Sequence, residues 1–209
     1  MSIKTFKDFL KSKTLTFIDI DETLFKTFAK VSVVKNGKVV RKLDNVEFNT
    51  YVLQPGESFD FGEFGNSKLF KSTSIPIQKT IKVLRTIYKH SIKTDGDVYL
   101  LTARADFDDK EGFISTLRSY GIPAGNKKDG LIHVLRAGNM PGSGSAERKK
   151  AIINNKILDK NYKNVTIFDD DVSNIAAFLS LSKKFTDVTF FAFLVKDGKI
   201  SLYDKKNAK

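Results

Sequence analysis

The chain has 209 residues, 41% of them hydrophobic and eighteen of them Phe, enough for one full core or one core carrying a sizeable insertion. With no Cys and only His90 and His133, it excludes a disulfide scaffold, a thiolate zinc site, a cysteine nucleophile and a histidine-rich metal cage, so a metal would be held by oxygen. Thirty-six basic against 24 acidic residues give a net charge of +12, which suggests an anionic partner such as nucleic acid, a phosphorylated metabolite or an acidic membrane surface. Thirty of those bases are Lys, spread along the whole chain, and the plainer reading is a solvated surface. The longest run free of Asp, Glu, Lys and Arg is Val172 to Ser182, too short to span a bilayer. The N-terminal MSIKTFKDFLKSK has no apolar secretory core, so a cytoplasmic location is expected.

In chain order, TLTFIDI (Thr14 to Ile20) is a short apolar, β-branched run and reads as a buried strand. From Ala29 to Ile75 the pattern is strand-like and turn-rich. KVSVVKNGKVVRKL reads as a hairpin about Asn36-Gly37, and FNTYVLQPGESFDFGEF as further extended chain about Pro55-Gly56. This stretch predicts a small β-rich insertion overhanging the end of the first strand. Ile77 to Tyr88 places Ile77, Ile81, Leu84, Ile87 and Tyr88 on one helical face, with Pro76 ahead of it. Val98 to Leu101 is a second strand. Phe113, Ile114, Leu117 and Tyr120 mark a helix stopped by Gly121. Leu131 to Leu135 predicts a third strand, with His133 a core or edge histidine. Ala146 to Leu158 predicts a helix, Val165 to Phe168 a fourth strand, and Val172 to Leu179 another helix. Val188 to Val195 then turns at Asp197-Gly198 into a hairpin with Ile200 to Tyr203. Strands alternating with helices predict an α/β domain with a doubly wound, Rossmann-like parallel sheet.

The first strand ends in Asp19-Ile20-Asp21-Glu22-Thr23. Side chains two apart in a strand share a face, so both Asp can point into the crevice at the sheet's carboxyl edge, where open α/β sheets bind ligands. Two carboxylates so close repel unless a cation intervenes, and Mg²⁺ suits them. Thr102 follows the second strand in VYLLTAR. Lys149 and Lys150 begin a helix after the Gly-Ser-rich loop Pro141 to Ser145, which has the composition of an anion nest but no Walker pattern. Asp169, Asp170 and Asp171 follow the fourth strand in VTIFDDDVSNI. A carboxylate nucleophile, a hydroxyl, an ammonium and a second acidic cluster on one rim form a phosphate-handling set.

FIDIDETLF resembles the DxDxT signature of the haloacid dehalogenase (HAD) superfamily. LLTAR, SAERKKAII and VTIFDDDVSNI resemble that family's second, third and fourth motifs, in order, so that the resemblance covers Thr14 to Leu179. It implies a HAD core over 1–29 and 76–209, with 30–75 as a small β-rich cap. It implies that Asp19 is the nucleophile that becomes an aspartyl phosphate, and Asp21 the general acid and base. Family members with other chemistries usually lack an acid at the Asp21 position. The resemblance further implies that Asp19, the Asp21 carbonyl and Asp169 ligate Mg²⁺, with Asp170 as a further or water-mediated ligand. Thr102 would bind the transferring phosphoryl group and Lys149 would neutralise charge on nucleophile and phosphate. The adjacent Lys150 is the alternative to Lys149, with Ser145 favouring Lys149, and Asn174 favours the pair Asp169-Asp170 over Asp171. Arg104 either contacts substrate phosphate or forms a surface salt bridge.

The expected function is Mg²⁺-dependent hydrolysis of a phosphomonoester, from a phosphorylated small molecule or nucleotide. The alternatives are an enzyme acting on nucleic-acid ends, resembling the phosphatase half of polynucleotide kinase-phosphatases, a receiver-like phosphoacceptor, and a non-catalytic anion-binding module. No membrane partner is expected, and the substrate is not readable in the insertion.

Overall fold

The computed structural model describes residues 12–142 and 144–204; the basic N-terminal segment up to Lys11, and Ser143 of the Gly-Ser loop, lie outside the described residues. Strand β1 (Thr14–Ile18) is buried at every position, as an unbroken apolar and β-branched run requires of a strand covered on both faces. It ends two residues earlier than its sequence suggests, so Asp19 lies just past the last paired residue. The chain then turns sharply, with Glu22 at φ 53° and the Leu24 and Phe25 amides both donating to the Ile20 carbonyl.

The insert follows. Strand β2 (Phe25–Lys26) leads to β3 (Val31–Lys35) and β4 (Lys38–Leu43), joined through Asn36 and Gly37, both at positive φ as a tight hairpin turn demands. Helix α1 (Asn45–Thr50), strand β5 (Glu57–Asp60), a 3₁₀ turn at Gly62–Gly65, helix α2 (Ser67–Thr73) and β6 (Ile75–Pro76) complete it. Strands β4, β3 and β5 form one antiparallel sheet in that order, and β2 pairs antiparallel with β6 as a two-stranded neck. The hairpin reading holds. The reading of extended chain onwards from Phe48 is only half right, because two helical segments interrupt it. Helix α2 forms on seven residues for two reasons. The Asn66 side chain accepts the Leu69 amide at 2.8 Å as an N-cap, and Phe70 packs at 5.3, 5.9 and 5.0 Å from the rings of Phe25, Phe107 and Phe113. The cap is worth about 1 kcal/mol and burying a Phe about 1.5–3 kcal/mol, so tertiary packing rather than local periodicity fixes this helix.

The rest of the chain alternates. Helix α3 (Gln78–Lys93), β7 (Asp97–Thr102), α4 (Lys110–Ser119), β8 (His133–Arg136), α5 (Ser145–Leu158), β9 (Asn164–Asp169), α6 (Val172–Ser180), β10 (Thr189–Lys196) and β11 (Lys199–Leu202) follow in order. The six-stranded sheet runs β8-β7-β1-β9-β10-β11, parallel except for β11, which closes a hairpin with β10 through Asp197-Gly198. Helix α3 starts after Pro76, which belongs to β6, and runs to Lys93, five residues beyond its apolar face, until the Gly96 amide donates to the Ser91 carbonyl. His133 is exposed at the start of the edge strand β8.

Residue alternation along the central strands builds a core on each side of the sheet. Ile18, Val98 and Leu100 pack with Ile81 and Leu84 of α3 and Phe113 and Leu117 of α4. Leu15, Phe17, Tyr99, Leu101, Val165 and Ile167 pack with Ile153 and Ile157 of α5 and Ile175 and Phe178 of α6. The sheet is therefore wound on both faces, and its parallel strands β1, β7 and β9 deliver their carboxyl ends to one rim. Among the described residues, no helix is long and apolar enough to cross a membrane.

Candidate functional site

Asp19 leaves β1 with its amide donating to the Phe168 carbonyl at 2.9 Å, and is 4% exposed. Parallel pairing of β1 with β9 sets Phe168 opposite Ile18, which brings the end of β9, Asp169, beside Asp19. The two carboxylates do not face each other bare. Lys149, in the second turn of α5 and only 2% exposed, places Nζ 2.6 Å from Asp19 Oδ1 and 2.9 Å from Asp169 Oδ2. Burying one ammonium between two buried carboxylates is tolerable because each charge has a hydrogen-bonded partner; removing any one would strand the others. Lys150, one residue on, points away and pairs with Glu147 at 3.3 Å.

The acidic run after β9 divides its duties. Asp169 Oδ1 accepts the Asp171 amide at 3.0 Å and Asn174 Nδ2 at 2.9 Å. Asp171 caps α6, accepting the Ser173 amide at 2.7 Å. Asp170 turns toward Asp19 and Asp169, and one carboxylate oxygen from each of these three lies within 4.8 Å of the others. Asn174 Oδ1 is buried beside them without a hydrogen-bond partner among the described residues. Three hard oxygen donors and an orphaned amide oxygen suit a small divalent cation such as Mg²⁺.

The electrostatics agree. Burial raises the Asp19 carboxyl well above the ordinary carboxylate range; Lys149 opposes this, while Asp169, Asp170 and Asp21 add repulsion. Burial and the Asp169 charge push Asp170 up to about 7. Burial works against the Lys149 ammonium, yet Asp169 and Asp19 hold its proton more firmly than normal. The cluster thus contains more negative charge than one lysine neutralises, and a second cation would relieve it.

Asp21, two residues on, lies outside the Asp19, Asp169 and Asp170 cluster, and its partner is Arg104. Arg104 Nε lies 3.0 Å from both Asp21 oxygens and Nη2 lies 2.6 Å from Oδ1, while Nη1 donates to the Phe64 carbonyl at 2.7 Å. Arg104 is 4% exposed, and its guanidinium carbon lies 4.8, 5.4 and 5.6 Å from the ring centres of Phe64, Phe70 and Phe107. Burial works to raise Asp21, but the Arg104 charge and hydrogen bonds, with one from Thr27, hold it below the ordinary carboxylate value. Thr102, the last residue of β7, is fully buried; its Oγ1 accepts the Arg104 amide at 3.1 Å and reaches Asp21 Oδ2 at 3.4 Å.

The structure therefore brings Asp19, Asp21, Thr102, Arg104, Lys149, Asp169 and Asp170 to one rim, each from the end of a parallel strand, the loop just after it or the first turns of a helix. Sequence reasoning did not anticipate the Phe64 carbonyl or the phenylalanine box around Arg104. A backbone oxygen carries no residue signature, Phe64 falls within the stretch that reads as extended chain, and Phe70 and Phe107 stand in no pattern that marks a site. No protein-family model matches the chain, and no curated protein matches it significantly.

Proposed function

We propose that this chain is a Mg²⁺-dependent phosphohydrolase that cleaves a phosphomonoester through an aspartyl phosphate on Asp19. The observation that carries this reading is the buried bridge of Lys149 between Asp19 and Asp169, beside Asp170, at the carboxyl edge of the parallel sheet. A nucleophilic carboxylate must be kept from repelling a phosphate dianion, and an ammonium at 2.6 Å does this. The resemblance of the four motifs to the HAD superfamily supports the same reading.

Asp19, Asp169 and Asp170, with the Asp21 backbone carbonyl, would hold the ion. Bound Mg²⁺ would neutralise phosphoryl oxygens and orient them toward Asp19. An Asp19 oxygen attacks phosphorus, the bond to the leaving oxygen breaks, and Asp21, which must enter this step carrying a proton against the preference that Arg104 imposes, passes it to that oxygen. Asp21, now in the carboxylate form that Arg104 favours, takes a proton from water as the water oxygen attacks phosphorus. Asp19 and inorganic phosphate are released. Thr102 and Lys149 hold the phosphoryl oxygens through both steps. The segment 30–75 acts as a small cap over a core of 1–29 and 76–209.

The test is turnover of a phosphorylated panel with Mg²⁺, with acid quenching to trap phosphate on the protein. Acid-labile phosphate should appear on wild type and be absent from Asp19→Asn, with turnover lost as well. Mg²⁺ should also raise the melting temperature, by mass action on the folded state, and Asp169→Asn should abolish that rise. Turnover that survives in Asp19→Asn would sink the assignment.

A further inference from the structure

Arg104 is engaged in a way that a substrate-binding arginine is not. Nε and Nη2 form a fork on Asp21 and Nη1 is committed to the Phe64 carbonyl. The rings of Phe64, Phe70 and Phe107 lie 4.8, 5.4 and 5.6 Å from the guanidinium carbon, and only 4% of the residue meets solvent. Phosphate recognition by arginine needs that planar fork to be free.

What the fork grips is also informative. Phe64 belongs to the 3₁₀ turn Gly62–Gly65 of the insert, and the segment after β7 holds that turn at one further point and the start of α2 at another. The Asp108 amide donates to the Gly65 carbonyl at 2.9 Å, and Asp108 Oδ1 accepts the Ser67 amide at 2.9 Å. One side chain thus touches the insert through a carbonyl and the proton-transfer carboxylate through a bidentate pair.

We propose that Arg104 is the positioning residue of Asp21, fixing its carboxylate beside Asp19 and making that geometry conditional on the insert being docked. This role rests on the phosphohydrolase reading above. Asp21 hangs from a turn with Glu22 in the left-handed region, and its carboxylate is 21% exposed, so its own backbone does not fix where its oxygens lie. The fork does. A lysine keeps the charge at this place but cannot bond both oxygens and the Phe64 carbonyl together.

A double-mutant cycle on kcat with p-nitrophenyl phosphate and Mg²⁺ tests it, using Arg104→Lys, Asp21→Asn and the combination. That leaving group needs no protonation, so a residual rate survives for measurement. Arg104→Lys should lower kcat by about 10²-fold with little change in KM. In the Asp21→Asn background the same substitution should change kcat by less than about threefold, because two residues that act as a unit are not additive. Arg104→Lys should also speed amide hydrogen exchange at Phe64 and Gly65, which loss of the Nη1 tie predicts directly. Should the lysine variant fold poorly, Arg104→Gln carries the same cycle.

An additive cycle, or a raised KM, would overturn the proposal and return Arg104 to contact with substrate or to bulk structure. Unchanged exchange at Phe64 and Gly65 would overturn the tie to the insert. A wild type that turns over no phosphomonoester would remove the phosphohydrolase reading itself, and this role with it. An active wild type whose activity depends on Asp19, together with an additive cycle, removes this role alone.

Discussion

Asp19 and Asp97 are both buried carboxylates, at opposite edges of one sheet, and their surroundings differ. Asp19 shares its lysine with Asp169. Asp97, the first residue of β7 and 2% exposed, has three partners: Lys127 and the Tyr162 hydroxyl hydrogen-bond to it, and Lys160, which also reaches Asp95 at 3.6 Å, lies 2.9 Å away. Burial works to raise the Asp97 carboxyl, but these three partners outweigh it and hold it below the ordinary value, while Tyr162 is raised in turn. A folded-state pKa below the unfolded one contributes stability above the unfolded pKa, of about 3.9, and that contribution is lost as pH falls through the folded value. Asp97→Asn should therefore cost about 3 kcal/mol at pH 7, and the gap between the two melting curves should begin to narrow below about pH 4 and keep narrowing as the pH falls further. A constant gap at every pH would mean that packing, not charge, is responsible. The residues of the candidate site were legible in the sequence because each sits at a strand or helix end, where burial periodicity breaks and a polar residue stands out. Asp97 was not. It stands just ahead of the run Val98 to Leu101 that the sequence marks as a strand and looks like an ordinary loop acid, and its partners Lys127, Lys160 and Tyr162 lie far along the chain.

At the scale of elements, the segment between β7 and α4 and the turn after β8 are built as one layer. The Gly138 amide donates to the Arg104 carbonyl at 3.2 Å, and Asn139 Oδ1 accepts the Asp106 amide at 3.1 Å. The approach is so close that a Cβ on Gly138 would stand 2.3 Å from the Ala105 nitrogen, 2.5 Å from the Arg104 carbonyl carbon and 2.6 Å from the Ala103 oxygen. All three are backbone atoms, so no side chain can give way. Gly138→Ala should push apart the segment that carries Arg104. The expected loss is about 1–3 kcal/mol of stability, with a fall in turnover larger than the unfolded fraction at the assay temperature explains. Activity tracking the folded fraction would show that this layer does not position the site. The alternating elements of the core were legible because burial on two faces leaves unbroken apolar runs such as TLTFI and VTIF. The helices of the insert were not. Helix α2 has only Leu69 and Phe70 as apolar residues, and it exists because Phe70 finds Phe25, Phe107 and Phe113, contacts that no local pattern announces.

For the whole molecule, the +12 charge and the acidic site pull in opposite directions. The lysines are spread along the whole chain rather than gathered in one block. Lys13, Lys42, Lys110, Lys150 and Lys156 are each paired with an acid, and Lys149 is consumed inside the site. A dispersed field raises the local concentration of small anions but does not neutralise a line of consecutive phosphates as a continuous groove does. The two cases differ in their salt response. A protein that neutralises Z phosphates of a single strand loses affinity with a log-log slope of about −0.7Z, so a track of six contacts gives a slope of about −4. With Mg²⁺ held constant and salt raised from about 50 to 300 mM, kcat/KM for a small phosphomonoester should fall by about threefold or less. For a 3′-phosphorylated oligonucleotide the slope should be no steeper than about −2, because the lysines are spread along the whole chain rather than gathered in one block. A slope near −4 with the oligonucleotide, beside a flat response with the small substrate, would assign the basic surface to a polynucleotide and make nucleic-acid ends the substrate.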